Sequence, residues 1–180
     1  MKLPLFLIIM SSIFPSFAQG ADEAYPRTPP GVSEIKLLPA ARLMLTDSPE
    51  GYFSSNNQMF GKLFRYIRSN DLPMTAPVEA RMQPGVMVFY MDLVSAVRND
   101  LKSDREVRLQ EVPSRLVAAL GMRGSYSEEN YREGLSSLRD WLKSQNEYEI
   151  SGEPYAVYWN SPFVPFFLKQ SEVHIPISKK

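Results

Sequence analysis

The sequence predicts an α+β fold: a pseudo-two-fold repeat of strand-strand-helix-strand-strand, forming a twisted antiparallel sheet or distorted barrel flanked by two helices. Three observations carry this reading. Paired runs alternate apolar and polar residues with period two, two stretches repeat apolar residues with the 3.6-residue period of a helix, and both halves of the chain present these signals in the same order.

The chain opens with the pattern of a secretory signal over residues 1–18. Lys2 supplies the positive end, residues 3–14 the apolar stretch, and Ser16-Phe17-Ala18 the small-residue cleavage site. This predicts export to a periplasmic or secreted location. The apolar run is too short to span a bilayer, and no later stretch approaches the roughly 20 apolar residues of a transmembrane helix. Residues 19–31 combine Pro, Gly and charge without periodicity and read as a flexible lead-in. The domain itself is expected over residues 32–178.

From Val32 onward, Ile35 to Leu38 and Ala41 to Leu45 read as two short strands broken at Pro39, which cannot donate to a ladder. A helix follows, capped by Ser54 or Ser55, with Phe60, Leu63, Phe64 and Ile67 as its apolar stripe. Thr75 to Met82 and Val86 to Asp92 form a hairpin around Pro84-Gly85, and the second strand is apolar on both faces, so both are covered. After a polar break at Arg98 to Arg105 the order repeats. Strands at Val107 to Val112 and Arg115 to Met122 precede a helix capped by Ser125 or Ser127, with Tyr131, Leu135, Leu138 and Leu142 as its stripe. Tyr155 to Trp159 and Val173 to Ile177 complete the second unit. In the last strand Glu172, His174 and Pro176 alternate with apolar residues, which predicts a partly exposed histidine.

Composition narrows the chemistry. The 180 residues suit one domain, and Lys plus Arg equals Asp plus Glu at 20 each, so no strong field draws the chain to nucleic acid. Loss of Lys2 with the signal leaves 19 basic against 20 acidic residues, a net charge near −1. Cys is absent and His174 is the one histidine, which excludes disulfides, thiolate metal sites and multi-histidine metal cages. Nine Met, ten Phe and nine Tyr supply a packed interior and adaptable apolar contacts for a ligand.

Two segments carry a family likeness. Met74-Thr75-Ala76-Pro77-Val78 follows the first helix and opens a strand; Ser161-Pro162-Phe163-Val164-Pro165-Phe166-Phe167 is followed by Ser171-Glu172-Val173-His174-Ile175. In composition, order and spacing they resemble the MTAPV and closing motifs of the SOUL haem-binding family, although His174 stands where that motif usually has Trp. The resemblance implies a twisted sheet with two flanking helices and a non-covalently held haem or related tetrapyrrole, without enzymatic activity. A porphyrin is an apolar plate with two carboxylates on one edge, so it asks for an apolar wall and nearby cations. Met59, Phe60, Leu63 and Phe64 of the first helix are the candidates for the wall, and Lys62, Arg65 and Arg68 for the propionates. Each has a structural reading beside it, as core or as solvated helix face. Phe163, Phe166 and Phe167 are expected to plug the barrel end or rim the groove. His174 is a candidate axial ligand by residue type, but no motif position supports it, and Met, Tyr or Lys could take that role.

A second reading is a binding module for other amphipathic small molecules, because GyrI-like ligand sensors are similar in their two-fold sheets. A carboxylate deep in the groove, such as Glu79 or Glu111, would favour cations over propionates. A hydrolase or tetrapyrrole-modifying enzyme on this scaffold would have to work with Glu, Tyr or Lys, as neither Cys nor a G-x-S-x-G elbow is present.

Overall fold

A computed structural model describes residues 22–54 and 58–180; the signal-like segment 1–18 and Ser55 lie outside the described residues. The elements run β1 (Asp22–Glu23), β2 (Ser33–Leu38), β3 (Ala41–Ser48), α1 (Met59–Ser69), β4 (Thr75–Ala76), β5 (Val78–Arg81), β6 (Gly85–Tyr90) and the one-turn α2 (Leu93–Ala96). The second half gives β7 (Arg108–Val112), β8 (Arg115–Arg123), α3 (Glu128–Leu142), β9 (Tyr148–Ile150), β10 (Tyr155–Tyr158) and β11 (Gln170–Lys179). The α+β repeat expected from the sequence is present.

The principal sheet is antiparallel, in the order β2-β8-β11-β10-β5-β6-β3-β7, with β9 also paired to β11. Matching β2, β3, β5 and β6 to β7, β8, β10 and β11 reverses this order onto itself. The pseudo-two-fold axis therefore passes between β5 and β10, where Val157 pairs with Glu79. Pro39 and Pro113 mark the breaks that send consecutive strands to different neighbours: β2 pairs with β8 of the second half, and β7 with β3 of the first.

Alternation along the strands sorts side chains to two faces. Met44, Met87 and Phe89 lie beneath α1, while Ala118, Ala156, Val173 and Ile175 lie beneath α3. Leu43, Leu45, Val86, Val88, Val117 and Val157 meet on the opposite face. The apolar run of β6 is thus covered on both sides, as its pattern requires. Ser127 caps α3 by accepting from the Asn130 N–H. Gly134 lets this helix approach β8 and β11, for a Cβ there would strike Met122 and crowd Val173.

Three expectations are corrected. The N-cap of α1 is Gln58, in the left-handed region and without a side-chain cap, so Ser54 does not fill that role; its hydroxyl bonds Glu50 instead. The buried face of α1 is Met59, Leu63, Tyr66 and Ile67, with Phe60 and Phe64 displaced to its flank. Residues 22–31, expected within a flexible lead-in, form a strap across the helix-free face. There β1 pairs in parallel with β4, Tyr25 and Thr28 are buried, and the Gly31 N–H donates to the Gly121 carbonyl at 2.8 Å.

Gly121 permits this close approach, since a Cβ there would collide with the backbone carbonyls of Thr28 and Pro29. Gly121→Ala is therefore expected to lift the strap and to destabilise the fold by about 1–3 kcal/mol, the usual cost of overpacking. Urea denaturation and limited tryptic cleavage at Arg27 would measure both effects; unchanged stability and protection of Arg27 would contradict the docked strap.

Candidate functional site

The face beneath the strap carries the densest cluster of polar groups among the described residues. The Glu172 carboxylate is fully enclosed and accepts from the Thr28 N–H (2.8 Å), the Trp159 Nε1–H (2.8 Å) and Lys36 Nζ (2.9 Å). His174 Nε2 lies 2.7 Å from the same carboxylate, and Nδ1 lies 3.3 Å from the Tyr155 hydroxyl. A neutral imidazole satisfies both contacts, with Nε2–H donating to Glu172 and Nδ1 accepting from Tyr155. The expectation of a partly exposed histidine is corrected: His174 is wholly buried, because Tyr25 and the strap cover its side of the sheet. Enclosed, with both nitrogens engaged, it is not available as an axial ligand in this conformation.

The second buried carboxylate, Glu79, pairs with Arg115 and accepts from the Tyr90 hydroxyl. Tyr25 closes the space between the two carboxylates with edge-on contacts to Tyr90 (5.5 Å) and Trp159 (5.3 Å). Burial pushes the phenols of Tyr25, Tyr90 and Tyr155 up, so all three stay neutral, Tyr90 donating to Glu79 and Tyr155 to His174. Glu172 and Glu79 are already matched by Lys36 and Arg115. Glu111, the other carboxylate considered for a cationic ligand, lies exposed on β7. Sequence reasoning had not connected Tyr25, Thr28, Lys36, Arg115, Tyr155 and Trp159, which converge from distant parts of the chain.

The wall and cations proposed on α1 are separated by the structure. Met59 and Leu63 are fully buried in the core. Phe60 and Phe64 are 44% and 41% exposed and stack on each other at 5.9 Å, with Phe60 also edge-on to Phe89 of β6. At 100° per residue Lys62 lies on the opposite flank and Arg65 faces outward, bonded to Glu106 at 2.8 Å, so neither adjoins the phenylalanine pair. Arg68, one turn beyond Phe64, does.

Two larger openings flank the sheet, and α1 lines neither. One, of about 600 Å³, lies on the helix-bearing face between the β3–α1 connection and α3, against Tyr52, Phe53, Met82, Tyr131, Leu135 and Arg132. Tyr52 and Phe53 line the groove edge to face, with ring centroids 5.4 Å apart. At the rim, Arg132 is held among the described residues by Glu128 in an exposed i,i+4 pair, the kind of contact easily exchanged for another carboxylate. The other opening, of about 460 Å³ at the end of the sheet, is edged by Asp22, Glu23 and Asp92, and the basic residue on its lining, Arg42, is engaged by the Ala96, Arg98 and Leu101 carbonyls, so charge there disfavours propionates.

A family model described as SOUL heme-binding protein matches residues 27–176. Among solved structures, the EcmrR C-terminal domain superposes with a TM-score of 0.64 at 15% identity, over 83% of this chain and 98% of that one. EcmrR in a complex with DNA gives the same score and identity over 83% of this chain and 58% of that one. A structure described as a hydrolase from Listeria innocua gives 0.57 at 9% identity, over 84% and 94%. At such identities the likeness is one of fold alone. No curated protein matches the chain.

The buried polar cluster makes stability pH-dependent with a defined sign. Burial alone would raise Glu172, but the bonds from His174 and Lys36 outweigh it and hold the carboxyl at about 2, against 4.5 when unfolded. Its contribution, roughly 3 kcal/mol, is complete above pH 4.5 and lost as pH falls towards 2. Burial lowers His174 below its ordinary 6.5, so acid already favours the unfolded chain below that pH. Urea midpoints should thus begin to fall below pH 6.5 and fall more steeply below 4.5. In Glu172→Gln the steep limb should flatten; the same profile in that variant would disconnect Glu172 from the acid response.

Proposed function

Because this chain belongs to the SOUL heme-binding protein family, we propose that it holds haem or a related tetrapyrrole non-covalently, as an exported binding, buffering or transport protein without a catalytic step. The observation that carries the reading is the opening of about 600 Å³ beside α3. Its volume falls within the roughly 300–1,000 Å³ of small-molecule sites. It combines a floor of aromatic rings, the adaptable thioether of Met82 and a cation, Arg132, free to turn towards a propionate. The ridge of Phe60, Phe64 and Arg68 offers a flat apolar surface on the other side of the β3–α1 connection, but without an enclosing cleft.

The sheet interior supports neither an organic cation nor catalysis. Both of its carboxylates are matched by basic side chains, and Tyr25 with the rest of the strap closes it to solvent. Balanced charge gives no field for nucleic acid. Export rests on the signal-like pattern of residues 1–18, and a mature chain beginning at Gln19 is the expected product.

Titration with haem, followed at the Soret band, tests the site. Leu135→Glu is expected to weaken binding by at least about tenfold, and Arg132→Glu by less, since one propionate contact at a solvated rim is worth little. Phe60→Ser with Phe64→Ser should leave the titration unchanged. The reverse pattern would move the macrocycle onto α1, and a chain that takes up no haem would remove the proposal.

A further inference from the structure

The connection from β10 to β11 presents its apolar residues to solvent. Phe163 is 96% exposed, and Phe166, Phe167 and Leu168 remain about half exposed or more, so the three phenylalanines, expected to plug the barrel end or rim the groove, do not plug it and line neither large opening. The turn is nonetheless held by its own hydrogen bonds. The Val164 N–H donates to the Ser161 carbonyl (3.1 Å), the Leu168 N–H to the Pro165 carbonyl (2.9 Å), and the Gln170 N–H to Asn160 Oδ1 (2.7 Å). Phe166 and Phe167 meet edge to face at 5.6 Å. Much of the backbone of this tip is thus satisfied from within, which lowers the cost of moving it out of water.

A second apolar tip projects from the same end of the sheet. Val78 of β5 pairs with Phe89 of β6 on one side and with Tyr158 of β10 on the other, so β6 and β10 both leave the sheet at this end, two strand spacings or about 10 Å apart. Three residues beyond β6 stands Leu93, 90% exposed, followed by the exposed Val94 and Val97. Aliphatic and aromatic side chains thus crown two neighbouring tips.

Charge selects among the surfaces these tips could meet. Residues 160–169 contain no acid; Lys169 closes the turn over the Tyr126 ring, and Arg123 pairs with Gln170 at its base. Nearby, Arg27 binds Glu23, while Asp22 and Asp92 lie beside the second tip, so the charge preference rests on the Phe163–Leu168 turn alone. We propose that this end of the protein docks on a phospholipid bilayer, with the Phe163–Leu168 turn inserted at the interface and the Leu93–Val97 tip as a second contact. Phenylalanine and leucine on the protruding Phe163–Leu168 turn, with Lys169 and Arg123 behind them, match the layering of an anionic bilayer surface, apolar chains beneath charged headgroups. The absence of cysteine allows a direct test, because one introduced thiol is the single labelling site. The full chain carrying Phe163→Cys labelled with an environment-sensitive nitrobenzoxadiazole, and a Ser137→Cys control on the outer face of α3, would be mixed with vesicles of phosphatidylcholine alone or with an equal amount of phosphatidylglycerol. A blue shift at 163 that is quenched by bromine-substituted acyl chains, absent at 137 and stronger with phosphatidylglycerol, is the expected result. Replacing Phe163, Phe166 and Phe167 by Ser should lower vesicle affinity by about tenfold or more, with residues 1–21 identical in both chains. The proposal is overturned by an unshifted label at 163, by a triple variant that binds as tightly as the parent, or by sedimentation showing that the turn instead joins two copies of the chain.

Discussion

The burial of Glu172 is the constraint on which the interior depends. An ionised carboxylate without water is tolerable only when its oxygens are saturated with donors, and here these come from the strap (Thr28), β2 (Lys36), the residue just after β10 (Trp159) and β11 itself (His174). Each donor lies on an element that packing alone could place with some latitude. The carboxylate removes that latitude, because displacing one donor leaves charge exposed to an apolar interior. His174 remains neutral for the same reason, since a second positive charge beside Lys36 would gain less from Glu172 than it loses in hydration.

A sheet with this two-fold arrangement could accept a guest on either face. In this chain one face is already committed: Tyr25 fills it, and Gly121 lets the strap lie against β8 without a gap. What remains is the helix-bearing face, where residues 51–54, after β3, line an opening together with α3. The aromatic groups there are only partly satisfied by one another, and the opening beside Met82 and Leu135 follows from their spacing.

Much of the fold is legible in the sequence, for a definite reason. Strand alternation, helix period, Ser127 as a cap, and Pro39 and Pro113 as breaks are local signals, and each agrees with the structure. The phase of α1 is harder to read, because Met59 to Ile67 offers apolar residues around nearly half the helix and the floor of the sheet decides which are buried. His174 alternates with apolar neighbours, as a solvent-facing residue would. Its burial depends on Tyr25, 149 positions away in sequence, in a stretch whose Pro and Gly content signals only a lack of periodicity. The candidate cleft is equally non-local, as it exists only once the β3–α1 connection lies against α3.

The placement of β2 and β7 has an implication for the assembly of the domain. Each half lends its first strand to the other, as partners do in an exchanged dimer, so neither repeat can complete its own share of the sheet. The two halves are thereby interlocked: the chain cannot be divided at its midpoint into autonomous pieces, and its final structure must await the arrival of strands from both halves.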